Sequence, residues 1–394
     1  MYKKLFGLWM MLGILTWTQG VWAQSSITEM RLRALEEQVA TKEDEDKTQM
    51  RVFYNKGLKM MTADKKFKFI IGGRILADFA FFDPNDTYIT ATGDENSGAE
   101  FRAARIYIAG LLYNRIGFKV QYDFASTSDV PITGLSGDKS KEAPNFKDVY
   151  IQLVKLPVVG NFRVGHYKEP WSLENLTSSK YITFMERSLP IAFSPGRGLG
   201  MGFFNHGLDK RLTWNVGVFY DTDNEAPPFT KTGTSDGAVD FGFRVTGLPW
   251  YQDKGKKLVH IGFSFAHEDQ GVADTLQIRS PPESRLAANR PVDTGSNPVE
   301  KINRYNFEAA AVYGRFSLQF EYMLLNGDAP VGTPGVHYTG WYIHASYFIT
   351  GEHREYNTKS GAFARVSPRQ NFGEEGWGAW QVALRYSTLD LNDD

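Results

Sequence analysis

From about Lys66 onward the chain alternates apolar and polar residues with a period of two, and this pattern narrows the possible folds more than any other feature. Phe118, Val120, Tyr122 and Phe124 stand opposite Lys119, Gln121 and Asp123. Phe316, Leu318, Phe320 and Tyr322 oppose Ser317, Gln319 and Glu321; Trp380, Val382, Leu384 and Tyr386 oppose Gln381, Ala383, Arg385 and Ser387. Tyr305, Phe307 and Ala309 oppose Arg304, Asn306 and Glu308 in the same way. A helix would repeat every three to four residues, so these segments read as β-strands with two chemically different faces. Beyond the first two dozen residues no apolar run is long enough for a membrane-spanning helix. A chain of this kind can enter a membrane only as a closed sheet.

Thirteen such segments are expected, near 66–82, 101–112, 116–125, 146–155, 160–167, 198–206, 211–220, 238–247, 258–267, 303–312, 316–325, 338–350 and 376–388. Their apolar faces are heavily aromatic, and Phe, Trp and Tyr make up 14% of the chain, while the opposite faces carry charge. A soluble sandwich buries its apolar faces against each other; lipid-facing aromatics opposite lumen-facing charges describe a barrel. Short turns such as Tyr113-Asn114-Arg115 alternate with long connections such as that from Ser126 to Asn145, the asymmetry of outer-membrane barrels. The expected fold class is therefore all-β, a transmembrane antiparallel β-barrel over 66–394. The competing possibility is a soluble or surface-attached β-protein that binds glycans through aromatic residues. That would cluster the aromatics in loops rather than along one face of many strands.

The amino terminus has the layout of a secretory signal peptide. Lys3 and Lys4 precede an apolar stretch from Leu5 to Trp17, and Val21-Trp22-Ala23 ends in a small residue suited to cleavage. Export is thus expected through residues 1–23. Residues 24–65 form the next segment, which lacks Gly and Pro as far as Lys56. Eleven of the nineteen residues from Glu29 to Lys47 are charged, and Leu32, Leu35 and Val39 follow helical spacing. This is read as a charged helical segment and linker; a short trimeric coiled coil and a solvated helix both fit the narrow seam.

Several function classes are set aside. The 44 basic and 45 acidic residues leave a net charge of −1, without the basic excess of a nucleic-acid binder. No cysteine is present, which removes disulfides, thiolate metal sites and cysteine nucleophiles. His267-Glu268 lacks the second histidine of a zinc-binding helix. The run Gly196-Arg197-Gly198-Leu199-Gly200 reads as a turn entering a strand and not as a phosphate loop opening a helix. Asp221, Asp223 and Glu225 resemble the start of a calcium loop without its glycine. No enzyme activity, cofactor, metal or nucleic-acid partner is expected.

Parity also assigns a candidate lining. Lys68, Arg74, Asp78, Lys119, Asp123, Arg244, Arg304, Glu308, Arg315, Glu321 and Arg385 fall on the polar face, seven basic and four acidic. Cations in a narrow pore lower the electrostatic cost of an anion, and arginine can meet two phosphate oxygens at once. The alternative is that these charges merely solvate the lumen and pair with its carboxylates.

The stretches FKFIIGGRILADF (67–79), FRAARIYIAGLLY (101–113), FKVQYDFA (118–125) and VGHYKEPWSLENLTSSKYITFMERSLP (164–190) resemble the phosphate-selective porin O and P family. GEHREY (351–356) and WGAWQVALRYSTLDLND (377–393) look like later blocks of the same pattern. The resemblance implies a homotrimeric, 16-stranded pore in the Gram-negative outer membrane, with lipid and small anionic solutes such as phosphate or polyphosphate as partners. It implies that an extracellular loop, here 168–195, folds inward and narrows the channel. Arg74, Arg102 and Arg244 match arginines of the family's anion path, to which Lys119, Arg304 and Arg385 are added by parity. Lys180, Arg187 and Arg197 lie on or beside the constriction. Asn175 stands where phosphate-binding members carry a lysine, and Gly117 takes the place of a second pore lysine, with Lys119 two residues on. Anion preference is expected to survive these departures, and strong phosphate selectivity is not. Thirteen strands and the acidic end Asn392-Asp393-Asp394 further suggest that the family's last strands lie beyond this sequence.

Overall fold

The computed structural model describes residues 29–39, 41–42, 46–55, 57–125, 127–128, 141–142, 145–220, 239–269, 275–373 and 376–392. Two units are distinguished, Met1–Phe69 and Ile70–Asp394. In the first, residues 29–39 are helical, and Met30, Leu32, Leu35 and Val39 are exposed. Met50–Tyr54 and Leu58–Thr62 then form an antiparallel hairpin, paired from Met50 with Thr62 to Tyr54 with Leu58. The helical part of the segment 24–65 is thus present at 29–39, and a hairpin stands at 50–62 where a linker was expected. Gly57, at φ 141°, permits the turn, and the alternation of Met50, Val52 and Tyr54 was hidden by its shortness. The signal-peptide segment 1–23 and the acidic loop at 221–225 lie outside the described residues. No helix among the described residues is long and apolar enough to cross a membrane.

Each of the thirteen expected segments is a strand. They are Phe67–Ala80, Gly98–Leu112, Ile116–Asp123, Asn145–Leu156, Gly160–Lys168, Arg197–Gly207, Leu212–Tyr220, Asp240–Gln252, Lys257–Asp269, Lys301–Tyr313, Phe316–Asp328, Val336–Phe348 and Gln381–Asp390. Each is the neighbour of the next in one large sheet. Pairing is antiparallel and long: Lys301 to Tyr313 match Asp328 to Phe316 without a break. Ser317, Gln319 and Glu321 are at most 2% exposed, while Leu384 and Tyr386 on the opposite parity are 79% and 61% exposed. The outer face is thus apolar and the inner face covered. Tight connections such as Asp253–Gly255 alternate with long ones, as expected. Residues 349–380 break that rule, because they form a long connection at the end of the sheet where the others are tight. Arg315, in one of those tight turns, donates to the Ile349 carbonyl at 3.3 Å.

Residues 168–195 lie inside the curve of the sheet. Arg74 near its start donates to Ser179 Oγ at 2.7 Å, and Arg385 on its last strand donates to the Glu186 carbonyl at 2.9 Å. The sheet therefore wraps this segment. Two apolar layers hold it. Trp171 and Phe193 pack with Ile302, Met323, Leu325 and Tyr338, while Leu173 packs with Leu258, Ala310, Val312 and Phe363. Between the layers runs a polar belt in which Arg244 forms a two-pronged ion pair with Glu308, at 2.8 and 2.7 Å. His260 and Ser264 complete the hydrogen bonding of Glu308. Beside it, Glu321 accepts from the backbone N–H groups of Leu173 (3.0 Å) and Glu174 (2.8 Å) and from Asn306 Nδ2 (2.8 Å).

Replacing Glu321 by leucine leaves two buried N–H groups without an acceptor, each costing about 1–3 kcal/mol. Glu321→Leu is expected to lower the thermal midpoint of the detergent-solubilised protein and speed protease cleavage within 168–195, whereas Glu321→Gln retains most of both. Unchanged cleavage in Glu321→Leu would show that the segment is held by other means.

Candidate functional site

The inserted segment is shaped locally by its own side chains. Ser172, at φ 65°, turns the chain, and its Oγ accepts from Asn175 N at 3.1 Å, starting the single helical turn Leu173–Leu176. Thr177 Oγ1 donates back to the Leu173 carbonyl at 2.8 Å. Ser188 donates to the Glu174 carboxylate from both N and Oγ, at 3.2 and 2.7 Å, closing the loop at its far end. Burial raises the Glu174 carboxyl pKa, against the pull of those hydrogen bonds and of Arg385.

Between the segment and the early strands lies a cavity of about 900 Å³. Ten cationic side chains line it, among them Arg74, Lys119, Lys180 and Arg197, against the three acids Asp148, Glu186 and Glu283. Asp148 bridges Lys119 at 2.5 Å and Arg197 at 3.0 Å, and Glu186 pairs with Arg102. Arg74 and Lys180 have no carboxylate partner among the described residues. Arg74 is held by the hydroxyls of Ser178 (3.3 Å) and Ser179 (2.7 Å). Lys180 Nζ lies 5.7 Å from the Tyr107 ring centre and 5.4 Å from that of Tyr181. Its ammonium pKa is lowered by burial and then by the positive charges of Arg74 and Lys119.

The cavity gathers seven of the ten residues singled out from sequence: Arg74, Arg102, Lys119, Asn175, Lys180, Arg187 and Arg197. The other three lie apart from it. Arg244 belongs to the buried belt with Glu308, Arg304 is paired with Glu268, and Arg385 is paired with Glu283 over the ring of Phe184. Arg187 braces the loop, donating to the carbonyls of Glu174 at 3.0 Å and Thr177 at 2.9 Å. Asn175 has both amide atoms engaged: Oδ1 accepts from Lys168 at 3.0 Å and Nδ2 donates to Ser194 Oγ at 2.7 Å. Lys168 Nζ thus ties the end of its strand to Asn175 in the loop. Arg315 sits in a turn and not on the lining.

Sequence reasoning missed Lys168, Asp148, Ser178 and Ser179 as members of the site. Lys168 ends a strand that leads directly into the loop, and that adjacency was the available signal. It also missed a second chamber of about 260 Å³, bounded by Tyr150, Arg163, Tyr167 and Phe204 on the wall and by Lys359, Ser360 and Ala362 on the turn-side connection. Arg163 lies 4.1 Å from the Tyr150 ring centre and 4.6 Å from that of Phe204. Lys168, Asp148 and Leu176 border both spaces.

Comparison with known proteins gives the family. Porin O of Pseudomonas aeruginosa is 25% identical over 363 residues, which cover 86% of this chain and 76% of that protein. An uncharacterised protein of Caulobacter vibrioides is 29% identical over 303 residues, 75% of this chain and 56% of that one. Among solved structures, a loop-deletion variant of Vibrio cholerae OmpT covers 73% of this chain and 79% of its own at 9% identity. Its TM-score is 0.45. The profile of the phosphate-selective porins O and P matches residues 69–394. The chain therefore belongs to the phosphate-selective porin O and P family.

Proposed function

We propose that the protein is a β-barrel porin of the outer membrane, exported by its amino-terminal segment and trimeric, through which small anions diffuse past residues 168–195. Family membership gives the class. The anion preference rests on one observation: ten cations face three acids in the cavity, and two of the cations, Arg74 and Lys180, lack a carboxylate partner among the described residues. An anion entering there meets two cations that are not ion-paired with a carboxylate, in a narrow space lined mainly by positive charge. The apolar outward face suits lipid, since alternate residues of a barrel strand face lipid and lumen. Phosphate fits the donor set of serine hydroxyls and guanidinium groups, but Asn175 adds no charge. The preference is thus for small anions generally, with phosphate among them.

In planar bilayers with a potassium chloride gradient, the reversal potential is expected on the anion side. Replacing Arg74 and Lys180 together by glutamine should move it toward the cation side, lowering the anion-to-cation permeability ratio by about threefold or more. An unmodified pore that prefers cations would sink the proposal.

The pH dependence follows from Lys180. Its ammonium loses the proton below the ordinary lysine value of 10.5, so raising the pH removes positive charge from the path. Anion preference should fall as pH rises through that lowered pKa, and Lys180→Arg, which stays protonated, should flatten the fall. A profile identical in Lys180→Arg and the unmodified pore would assign the titration elsewhere.

A further inference from the structure

The second chamber exists because two inserted parts meet without filling the space between them. Residues 168–195 enter from one end of the sheet and the connection 349–380 from the other. In that connection Tyr356–Asn357 pairs with Ala362–Phe363 as a small hairpin. Its tip is fixed to the wall by Arg244, which donates to the carbonyls of Ser360 at 3.4 Å and Gly361 at 2.8 Å. Phe363 N donates to Thr177 Oγ1 at 3.3 Å, so the hairpin also rests on the inward loop. Lys359, Ser360 and Ala362 thereby roof a space of about 260 Å³, and the roof is held on two sides.

The wall beneath this roof is unlike that of the larger cavity. Arg163 stands between Gln152 and Gly202 on its two neighbouring strands. Gln152 Oε1 accepts from Nε at 3.2 Å and from Nη2 at 3.0 Å, which fixes one edge of the guanidinium. Gly202 carries no side chain, so the guanidinium has room to lie 4.6 Å from the Phe204 ring centre and 4.1 Å from that of Tyr150. Two of its five N–H groups are used by Gln152; the other three have no acceptor among the described residues. Neither Arg163 nor Lys359 is ion-paired with a carboxylate among the described residues. The chamber thus holds a flat cation with a free edge, framed by rings, and a second cation on the roof.

A free guanidinium edge pairs two oxygens of one anion, and adjacent ring faces take an apolar group. A carboxylate on a planar apolar body meets both demands at once. Inorganic phosphate meets only the first, and Asp148 at the border of the chamber opposes a second negative charge. The larger cavity, with ten cations and the serine hydroxyls, suits the compact anion instead.

We infer that the chamber roofed by 359–362 is a second binding station that takes small aromatic carboxylates, with Arg163 holding the carboxylate and Tyr150 and Phe204 the ring. The inference rests on the anion-pore reading and gives that pore an organic solute. Lys168, Asp148 and Leu176 border both spaces, so an ion held here stands beside the route through the larger cavity.

Benzoate and acetate, which share a charge and differ by the ring, are the probes, added to the full-length protein in planar bilayers carrying chloride current. Benzoate is expected to halve that current at a concentration at least about threefold below acetate. Arg163→Gln should raise the benzoate value at least about threefold, and Phe204→Leu should raise it while leaving acetate as it was. Lys359→Gln, at the exposed hairpin tip, should raise it about twofold without touching the wall. It carries the test if heat-modifiable migration in gels shows Arg163→Gln misassembled. An anion-selective parent that benzoate and acetate block alike overturns the inference and leaves the anion pore standing. So does benzoate block that is unchanged in Arg163→Gln, or in Lys359→Gln where the first variant fails to fold. A parent without anion preference overturns both readings.

Discussion

The carboxylate of Glu321 is the acceptor on which the interior is organised. A loop that enters an enclosed space brings backbone N–H and C=O groups that no longer reach bulk water, and each must find a partner there. Leu173 and Glu174 find theirs on Glu321, while Asn306 occupies the same carboxylate from the wall. The neighbouring Glu308 is satisfied by Arg244, His260 and Ser264, so two acids within one layer are each surrounded by donors. Removing a single donor or acceptor from such a layer exposes the desolvation cost of the group left behind. The inner face needs charged residues here for a structural reason.

That structural demand explains why the cations singled out from sequence part company. Arg187 braces the loop through backbone carbonyls and Arg385 ties Glu283 to the wall, while Arg244 and Arg304 are paired along the wall with Glu308 and Glu268. Arg74, Lys119, Lys180 and Arg197 face the larger cavity. Asp148 moderates two of them and keeps their side chains extended toward one another. The electropositive character of the path is therefore set by a few residues left over after structural pairing. Counting charges along the lining overstates it.

The strands were legible because period-two alternation is a backbone property that each segment states for itself. Ser317, Gln319 and Glu321 turned inward as their parity required. The short hairpin at 50–62 was missed because two strands of five residues carry too little alternation to rise above a charged surrounding. Ile302, Val312, Met323 and Leu325 share the inward parity of Arg304 and Glu321 although they are apolar. They are inward because inserted segments cover them, and only the tertiary arrangement reveals a cover. The inward loop was expected from the family resemblance, and Trp171 and Leu173 are what seat it on the wall. The role of Asn175 was not, since whether an amide points to a pore or to Lys168 depends on a neighbour seven residues away in sequence and adjacent only in the fold.

The hydrogen bond from Phe363 to Thr177 joins positions 186 residues apart in the chain. The space inside the sheet is consequently shaped by a pair of parts, like two jaws entering from opposite ends, and neither loop shapes it alone. A change of length in one is transmitted to the other, so related chains can diverge in aperture through a segment that never resembles a pore loop in sequence. Grafting the inward loop alone onto another sheet would carry over one side of that contact.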